Sequence, residues 1–579
     1  MKIKEIKQKI IDSLRQAIGS LPSAFVFNLE APLQPKRGEL AFSCFQLAKY
    51  FKKSPEKIAS ELTLKLQKSK IDFLDKIENV GPYINFFVNK KTFFSVVCEE
   101  ILKKGDKFGQ SSFGCGQKIG IEYSAPNANK PQHLGHLRNN LLGDSLANLL
   151  KVAGFKVRTF NLINDRGVHI CKSMLAYRKW GKGRTPDSEK IKGDHFVGNY
   201  YVLFEEKAKT NPRLLREAQE MLNKWEAGDL ETLTLWRKMN KWAIDGLLGT
   251  YQKIGIKFDE LNFESDVYNL GKDIILKALK KGLCYKRKDG AVEIDLRKYD
   301  LGKKVLLRPD GTSVYITQDI GLAKLYSAFK FNKFIYVVAS EQNHHFHVLF
   351  KILELFGIGE AGNYYHFSYG LVFLPKGKMK SRQGEVVEVD GIIKRMEQLA
   401  KSEILKRDPN LTPVKVSERA QIIAQAALKF FFLKFKPSQT VNFDPLASIS
   451  FEGDTGPYLQ YTYARIQSIL KKDLEGGRDA RVSAEIDYSL LGSIEEIKLI
   501  KSLFVFQDAI QQSFREYNPS VLAHYLLRLA RRFNEFYHQS HVLKSKIKLR
   551  KARLALLMSV AQVLKTGLNL LGIDVLEEM

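Results

Sequence analysis

Asn127-Ala128-Asn129-Lys130-Pro131-Gln132-His133-Leu134-Gly135-His136 joins a short apolar strand, Ile119-Gly120-Ile121-Glu122-Tyr123, to a helix. The helix reads from Leu137, Leu141, Leu142, Leu146, Leu149 and Leu150 at three- and four-residue spacing, with Gly154 where a C-terminal cap belongs. A strand-to-helix turn with a glycine inside it lets backbone approach a ligand closely. The helix start then offers oriented N–H groups to a phosphate. Imidazoles at His133 and His136 add donors where negative charge develops. The stretch predicts a nucleotide site with a candidate catalytic pair, although an H-x-G-H string alone also fits a simple helix cap.

A chain of 579 residues exceeds one hydrophobic core and suggests roughly three or four domains. The hydrophobic fraction of 44% is that of an ordinary soluble globular protein. The densest apolar patch, Phe430-Phe431-Phe432-Leu433, is far too short to span a membrane. Met1-Lys2-Ile3-Lys4-Glu5-Ile6-Lys7 opens a charged amphipathic helix without an apolar leader, so a cytoplasmic location is expected. Five scattered cysteines (Cys44, Cys98, Cys115, Cys171, Cys284) form no C-x-x-C pair, which argues against a disulfide framework and a thiolate zinc site; no bound structural metal is expected. Lys and Arg number 92 against 63 acidic residues, a net charge of +29. That excess points to a polyanionic partner or to a solubility bias.

Two composition shifts suggest boundaries: the Gly/Ser-rich run 107–116 and the Pro-containing run Lys406-Arg407-Asp408-Pro409-Asn410-Leu411-Thr412-Pro413. The blocks they define are 1–115, an α/β module; 116–408, a sheet domain; and 409–579, nearly all helix. Val157-Arg158-Thr159-Phe160-Asn161-Leu162-Ile163 and Phe334-Ile335-Tyr336-Val337-Val338-Ala339 are apolar strands separated by helices. They predict a doubly wound, Rossmann-like parallel sheet with ligands at the carboxyl ends of its strands. A charged helical insertion at about 170–265 holds all four tryptophans, Trp180, Trp225, Trp236 and Trp242, read as packing residues. In the last block, Leu522, Tyr525, Leu526, Leu529, Phe533, Phe536 and Tyr537 recur at helical spacing and are expected in the core. The interleaved Arg528, Arg531 and Arg532 are either a solvated face or contacts to an RNA backbone.

A second signature, Gly377-Lys378-Met379-Lys380-Ser381-Arg382-Gln383-Gly384, follows far downstream. With His133-Leu134-Gly135-His136 it resembles the paired ATP-binding signatures of class I aminoacyl-tRNA synthetases, in the right order. Ala125-Pro126-Asn127-Ala128-Asn129-Lys130, Tyr315-Ile316-Thr317-Gln318-Asp319-Ile320-Gly321 and Glu341-Gln342-Asn343-His344-His345-Phe346 resemble elements of the arginyl-tRNA synthetase family. So do the stretch from Phe451 to Arg465 and, in the N-terminal module, Leu47-Ala48-Lys49 and Gly81-Pro82-Tyr83-Ile84-Asn85. The resemblance covers essentially the whole chain. It departs at Ala125, where the family usually has Ser, and at Ser381, where the general class signature has a second Lys.

The resemblance implies an arginine–tRNA ligase that makes arginyl-adenylate from L-arginine and ATP, then transfers arginine to tRNA(Arg). It implies an additional N-terminal tRNA-binding domain, the catalytic domain and a helical anticodon-binding domain. Catalytic roles fall to His133, His136, Lys130 and Lys378, with Lys130 compensating for the lysine missing at Ser381. ATP is met by Gly135, His133, His136, Lys378, Met379 and the Gly370-Leu371-Val372 backbone, with Mg²⁺ expected on the pyrophosphate. Arginine is met by Asn127, His136, Tyr315, Asp319 and Gln342; a carboxylate suits a planar guanidinium. Without the resemblance, Asp319 reads as an N-cap before Ile320-Gly321. Candidate tRNA contacts are Tyr458, Tyr461, Arg465, Arg528 and Arg532; Tyr463 is a further one, and each of the three tyrosines is equally suited to packing. A monomer is expected. The rival readings are another class I synthetase, or a non-catalytic tRNA-binding paralogue.

Overall fold

Strands whose residues are buried on both sides need helices on both faces, and the centre of this molecule is built that way. In a computed structural model, which describes all residues except 1, 23, 24, 33, 70, 361, 375–387 and 476–485, five strands form one sheet. Their order across it is Tyr364–Tyr369, Lys333–Ala339, Lys118–Glu122, Lys156–Ile163 and Glu260–Phe263. Every pairing is parallel. Alternate side chains of Lys333–Ala339 serve different cores: Ile335 and Val337 pack with the helix Leu134–Val152, and Phe334 and Tyr336 with the helix Tyr315–Ser327. The sheet is therefore doubly wound, as the sequence predicts.

The strand order decides where the site sits. From Lys118–Glu122 the chain winds outward through Lys156–Ile163 to Glu260–Phe263, then crosses back to the other side of the first strand. The reversal falls between Lys118–Glu122 and Lys333–Ala339, the position at which open parallel sheets place a ligand crevice outside their carboxyl ends. The signature stretch follows one of these strands and Gln342 follows the other.

The expected insertion is helical, with Val168–Trp180, Gly193–Thr210, Arg213–Glu226 and Leu230–Ile254 around their own core. The tryptophans pack, as Trp225 against Trp236 with ring centroids 5.4 Å apart. The N-terminal module is a four-stranded antiparallel sheet backed by the helices Ile3–Ile18 and Pro55–Lys68. It joins the C-terminal helices through Phe93 on Phe504, centroids 5.0 Å apart, and Lys7 on Asp508.

In Pro519–Gln539 the expected apolar positions are buried except Tyr537, which is exposed; its ring lines a cleft instead of the core. The turn after 407 separates the helices Val389–Arg407 and Pro413–Leu433, yet the chain returns to the sheet domain beyond it. Val372–Phe373 pairs in parallel with Val441–Asn442. Among the described residues, no helix is long and apolar enough to cross a membrane.

Candidate active site

The end expected to meet phosphate grows from the helix start. His133 is the N-cap of Leu134–Val152: its Nδ1 accepts from the Gly135 N–H at 3.1 Å, and its own N–H donates to His136 Nδ1 at 3.2 Å. Both δ nitrogens are thus occupied as acceptors, which fixes the neutral tautomer with the proton on Nε2. The rings lie 3.9 Å apart. A side chain at Gly135 would meet the His133 ring at 3.0 Å, so the glycine is what lets the ring fold over the helix start. Burial, then His133 and Lys130, push His136 down to about 3, and burial with Lys130 lowers His133. Two neutral imidazoles with fixed Nε2–H donors, beside the exposed Lys130, form a donor set for phosphate oxygens.

The expected adenine-facing segment is anchored by a residue not foreseen from sequence. Arg138 is fully buried in the signature helix and donates to the carbonyls of Gly370 at 2.6 Å, Leu371 at 3.1 Å, Pro437 at 3.1 Å and Gln439 at 2.7 Å. A Cβ at Gly370 would strike the Gln439 backbone at 2.6 Å, so close approach requires glycine there. Val372 continues into the short parallel pairing with Val441. Lys378 and Met379 lie outside the described residues.

The other end of the crevice is acidic. Asp319 lies in the second turn of Tyr315–Ser327, not at its N-cap, which is Val314; the capping alternative falls. Tyr315 is one turn earlier on the same face and 78% exposed. Asp319 Oδ2 is 2.7 Å from His345 Nε2. Glu122, at the end of the first sheet strand and beside Tyr336 in register, is buried. Its Oε2 has no hydrogen-bond partner among the described residues, and neither has the Tyr336 hydroxyl. Burial pushes Glu122 up to about 8; the Tyr326 hydroxyl opposes this and the Asp319 charge adds to it. Glu264, which accepts from Gln318 Nε2 at 2.5 Å, is pushed up to about 7, again chiefly by burial, with Arg166 opposing. A buried carboxyl left half-partnered next to other carboxylates is unfavourable until a cation arrives.

Asn127 and Gln342 follow the two strands of the reversal. Asn127 bridges Asn164 just after the first strand, and Gln342 is exposed just after Lys333–Ala339. At Ala125 the backbone N–H donates to Asn161 Oδ1 at 3.1 Å, in a turn where Ser124 and Ala125 both have positive φ.

Family models match the chain in three consecutive stretches. These are the arginyl tRNA synthetase N terminal domain over residues 4–88, the catalytic domain of class I (R) tRNA synthetases over 97–444, and the DALR anticodon binding domain over 459–579. An arginine–tRNA ligase of Treponema denticola is 44% identical over 558 residues, covering 95% of each chain. One of Phocaeicola vulgatus is 40% identical over 609 aligned residues, covering 99% of this chain and 100% of its own. The chain belongs to the arginyl-tRNA synthetase family. The arginyl-tRNA synthetase structure from Thermus thermophilus superposes with a TM-score of 0.83 at 28% identity, over 99% of this chain and 100% of that one. The one from Plasmodium falciparum gives 0.77 at 20% identity, a likeness of fold.

Within the stretch matching the family's anticodon-binding domain, Tyr461, Tyr463, Arg465 and Tyr537 line a cleft of about 1150 Å³. Arg465 is fixed there, donating to the Tyr461 hydroxyl at 2.9 Å and to Asn534 at 3.2 Å. The Tyr458 hydroxyl also meets Asn534, at 2.8 Å. Arg528 is exposed, whereas Arg532 turns inward to Ser502 Oγ and the Lys498 carbonyl. The residues sequence reasoning passed over are Glu122, His345, Glu264 and Arg138. Of these, Glu122 alone carried a signal: a carboxylate closing an otherwise apolar strand.

Proposed function

We propose that the crevice activates L-arginine with ATP, and that the charged amino acid then passes to tRNA(Arg). Arginine–tRNA ligation is the activity of the family. The residue roles are our reading, and one observation carries them. Glu122, buried and half-unpartnered, lies with Asp319 at the same strand reversal that the two histidines border.

A guanidinium entering the acidic end completes Glu122 and Asp319 with planar, charge-assisted hydrogen bonds, while Tyr315 closes over the side chain from the exposed turn. Asn127 and Gln342 orient the α-amino and carboxylate groups, with His136 beside them. The carboxylate then attacks the α-phosphate of ATP in line and pyrophosphate leaves. Such a step needs positioning and stabilisation of negative charge more than covalent help from the protein. His133 and His136 donate through Nε2, and Lys130 and Lys378 offset the charge on the phosphates. Gly135 and the Gly370–Val372 backbone, with Met379, receive the nucleotide. Mg²⁺ would ride on the triphosphate oxygens with its own waters. The described residue cluster with suitable ligand spacing, Asp194, His195 and Asp390, already holds the Lys192 ammonium. The cleft bearing Tyr461 and Arg465 is proposed to receive unstacked bases of the tRNA, with Tyr458 and Arg528 as further contacts to the RNA. We expect the enzyme to act as a cytoplasmic monomer.

Aminoacylation with each amino acid separately, ATP and bulk tRNA tests this reading. Charging by arginine alone is expected; charging by another amino acid, or by none, overturns it.

A further inference from the structure

The helical insertion meets the phosphate end of the site through ionic contacts that the reaction as described does not use. Lys192 Nζ lies 2.6 Å from Asp390 Oδ2 and 3.0 Å from Asp194 Oδ2, and it also donates to Thr250 Oγ1. His195 lies between two carboxylates, with Nε2 at 3.0 Å from Asp390 Oδ2 and Nδ1 at 3.0 Å from Glu388 Oε2. Lys253 reaches Asp390 Oδ1 at 3.3 Å. Asp194, His195 and Asp390 have the spacing of a metal site. The Lys192 ammonium, however, sits against two of these three groups, where the ion would be.

What these groups hold is next to the catalytic pair. Glu388 and Asp390 flank Val389, the first residue of the helix Val389–Arg407. The Val389 N–H donates to the Gln132 carbonyl at 2.9 Å, and Glu388 forms an antiparallel bridge with His133. The insertion thus grips the backbone pairing that seats His133.

We propose that Lys192 and His195 are positioning residues for ATP: by clamping Glu388 and Asp390 they keep the Gln132–His133 backbone in register at the phosphate end. This rests on the assignment of phosphates to His133 and His136. With His195 protonated, three cations (Lys192, His195, Lys253) face three carboxylates (Asp194, Glu388, Asp390), and the cluster is neutral. Hydrogen bonds to Asp390 and then Glu388 hold His195 up to about 9, against burial. Burial acts to raise Asp390, but the bonds from His195 and Lys192 overcome it and hold that carboxyl well below its usual range. A raised histidine value means that the clamp is complete at neutral pH and weakens as pH rises through about 9.

The test is steady-state aminoacylation by the full chain, with ATP and arginine varied separately, for wild type, His195→Gln, Lys192→Met, Asp390→Asn and His133→Ala. His195→Gln and Lys192→Met are expected to raise KM for ATP about fivefold, the scale on which residues of a packed network alter a remote ligand. KM for arginine should stay within about twofold. Wild-type KM for ATP should rise as pH passes about 9, and that rise should be missing in His195→Gln. Thermal melts separate the roles: a lowered melting temperature with an unchanged KM for ATP makes the clamp structural and overturns the proposal. If Lys192→Met does not fold, Asp390→Asn carries the same test. If His133→Ala impairs turnover but no clamp variant shifts KM for ATP, only this proposal falls. If His133→Ala leaves the kinetics unchanged, the phosphate assignment falls with it.

Discussion

The two ends of the crevice solve opposite electrostatic problems with different materials. At the phosphate end, His133 and His136 are held neutral by burial and by Lys130, and their orientation is set by backbone N–H groups of one helix start. At the amino-acid end, the working groups are carboxyls from separate elements, and burial pushes Glu122 up instead of making it a ready anion. The helices behind them pack on opposite faces of the sheet. On the proposed reading each end is left short of the charge its ligand brings: four-fold negative ATP on one side, a guanidinium on the other. The histidines are then oriented before any ligand arrives, by the helix start and by the backbone pairing with Glu388 and Val389, whereas the acidic end is completed only by its substrate.

The strongest way to break this contrast is to remove a carboxylate. Asp319→Ala should lower kcat/KM for arginine by roughly 10³-fold, corresponding to about 4 kcal/mol for a substrate guanidinium bound without its carboxylate partner. KM for ATP should move little. Glu122→Gln, which keeps the shape and loses the charge, should follow the same pattern. Equal damage to ATP and arginine kinetics in these variants would mean the two ends are not separable. Next in size is His136→Ala, which removes one fixed donor and should reduce kcat by about 10²-fold. Because His136 is neutral and orientation is its contribution, His136→Gln should recover part of that loss. A glutamine variant as poor as the alanine would deny the donor role.

This contrast also explains which parts of the molecule were legible in the sequence. The phosphate end is local: His133, Gly135 and His136 lie within one turn of chain, so spacing alone placed them at a helix start. Tyr315 and Asp319, four residues apart, likewise shared a face once a helix was assumed. The doubly wound sheet followed from apolar strands alternating with helices. Glu122 was visible only as a polar residue in a strand. Its significance comes from burial beside Tyr336, a residue more than two hundred positions away whose register with it is set by sheet pairing. Nothing local marks Arg138 on its leucine-rich helix; its guanidinium donates to the carbonyls of Gly370, Leu371, Pro437 and Gln439, far away along the chain. Tyr537 kept the helical period yet faces a cleft, because periodicity identifies a stripe without saying how wide the packed surface is.

The smallest predicted effect reports on the acidic end without altering it severely. In the absence of arginine Glu122 is held up to about 8 by burial. Arginine needs the carboxylate, so at lower pH binding must first release that proton. The sign is therefore fixed: KM for arginine should fall as pH rises toward 8 and level off above it. The slope is at most about tenfold per pH unit, as expected for one proton exchanged on binding. His136, pushed down to about 3, contributes no titration in this window. KM for ATP should accordingly be flat where KM for arginine is not. Glu122→Gln removes the ionisable group and should flatten the arginine profile as well. Calorimetry in two buffers of different ionisation enthalpy would count the released proton directly. Arginine binding to wild type near neutral pH should release close to one proton, and binding to Glu122→Gln should release none. If the variant releases as much as wild type, the proton comes from another group, and Glu122 is not the carboxyl that the guanidinium completes.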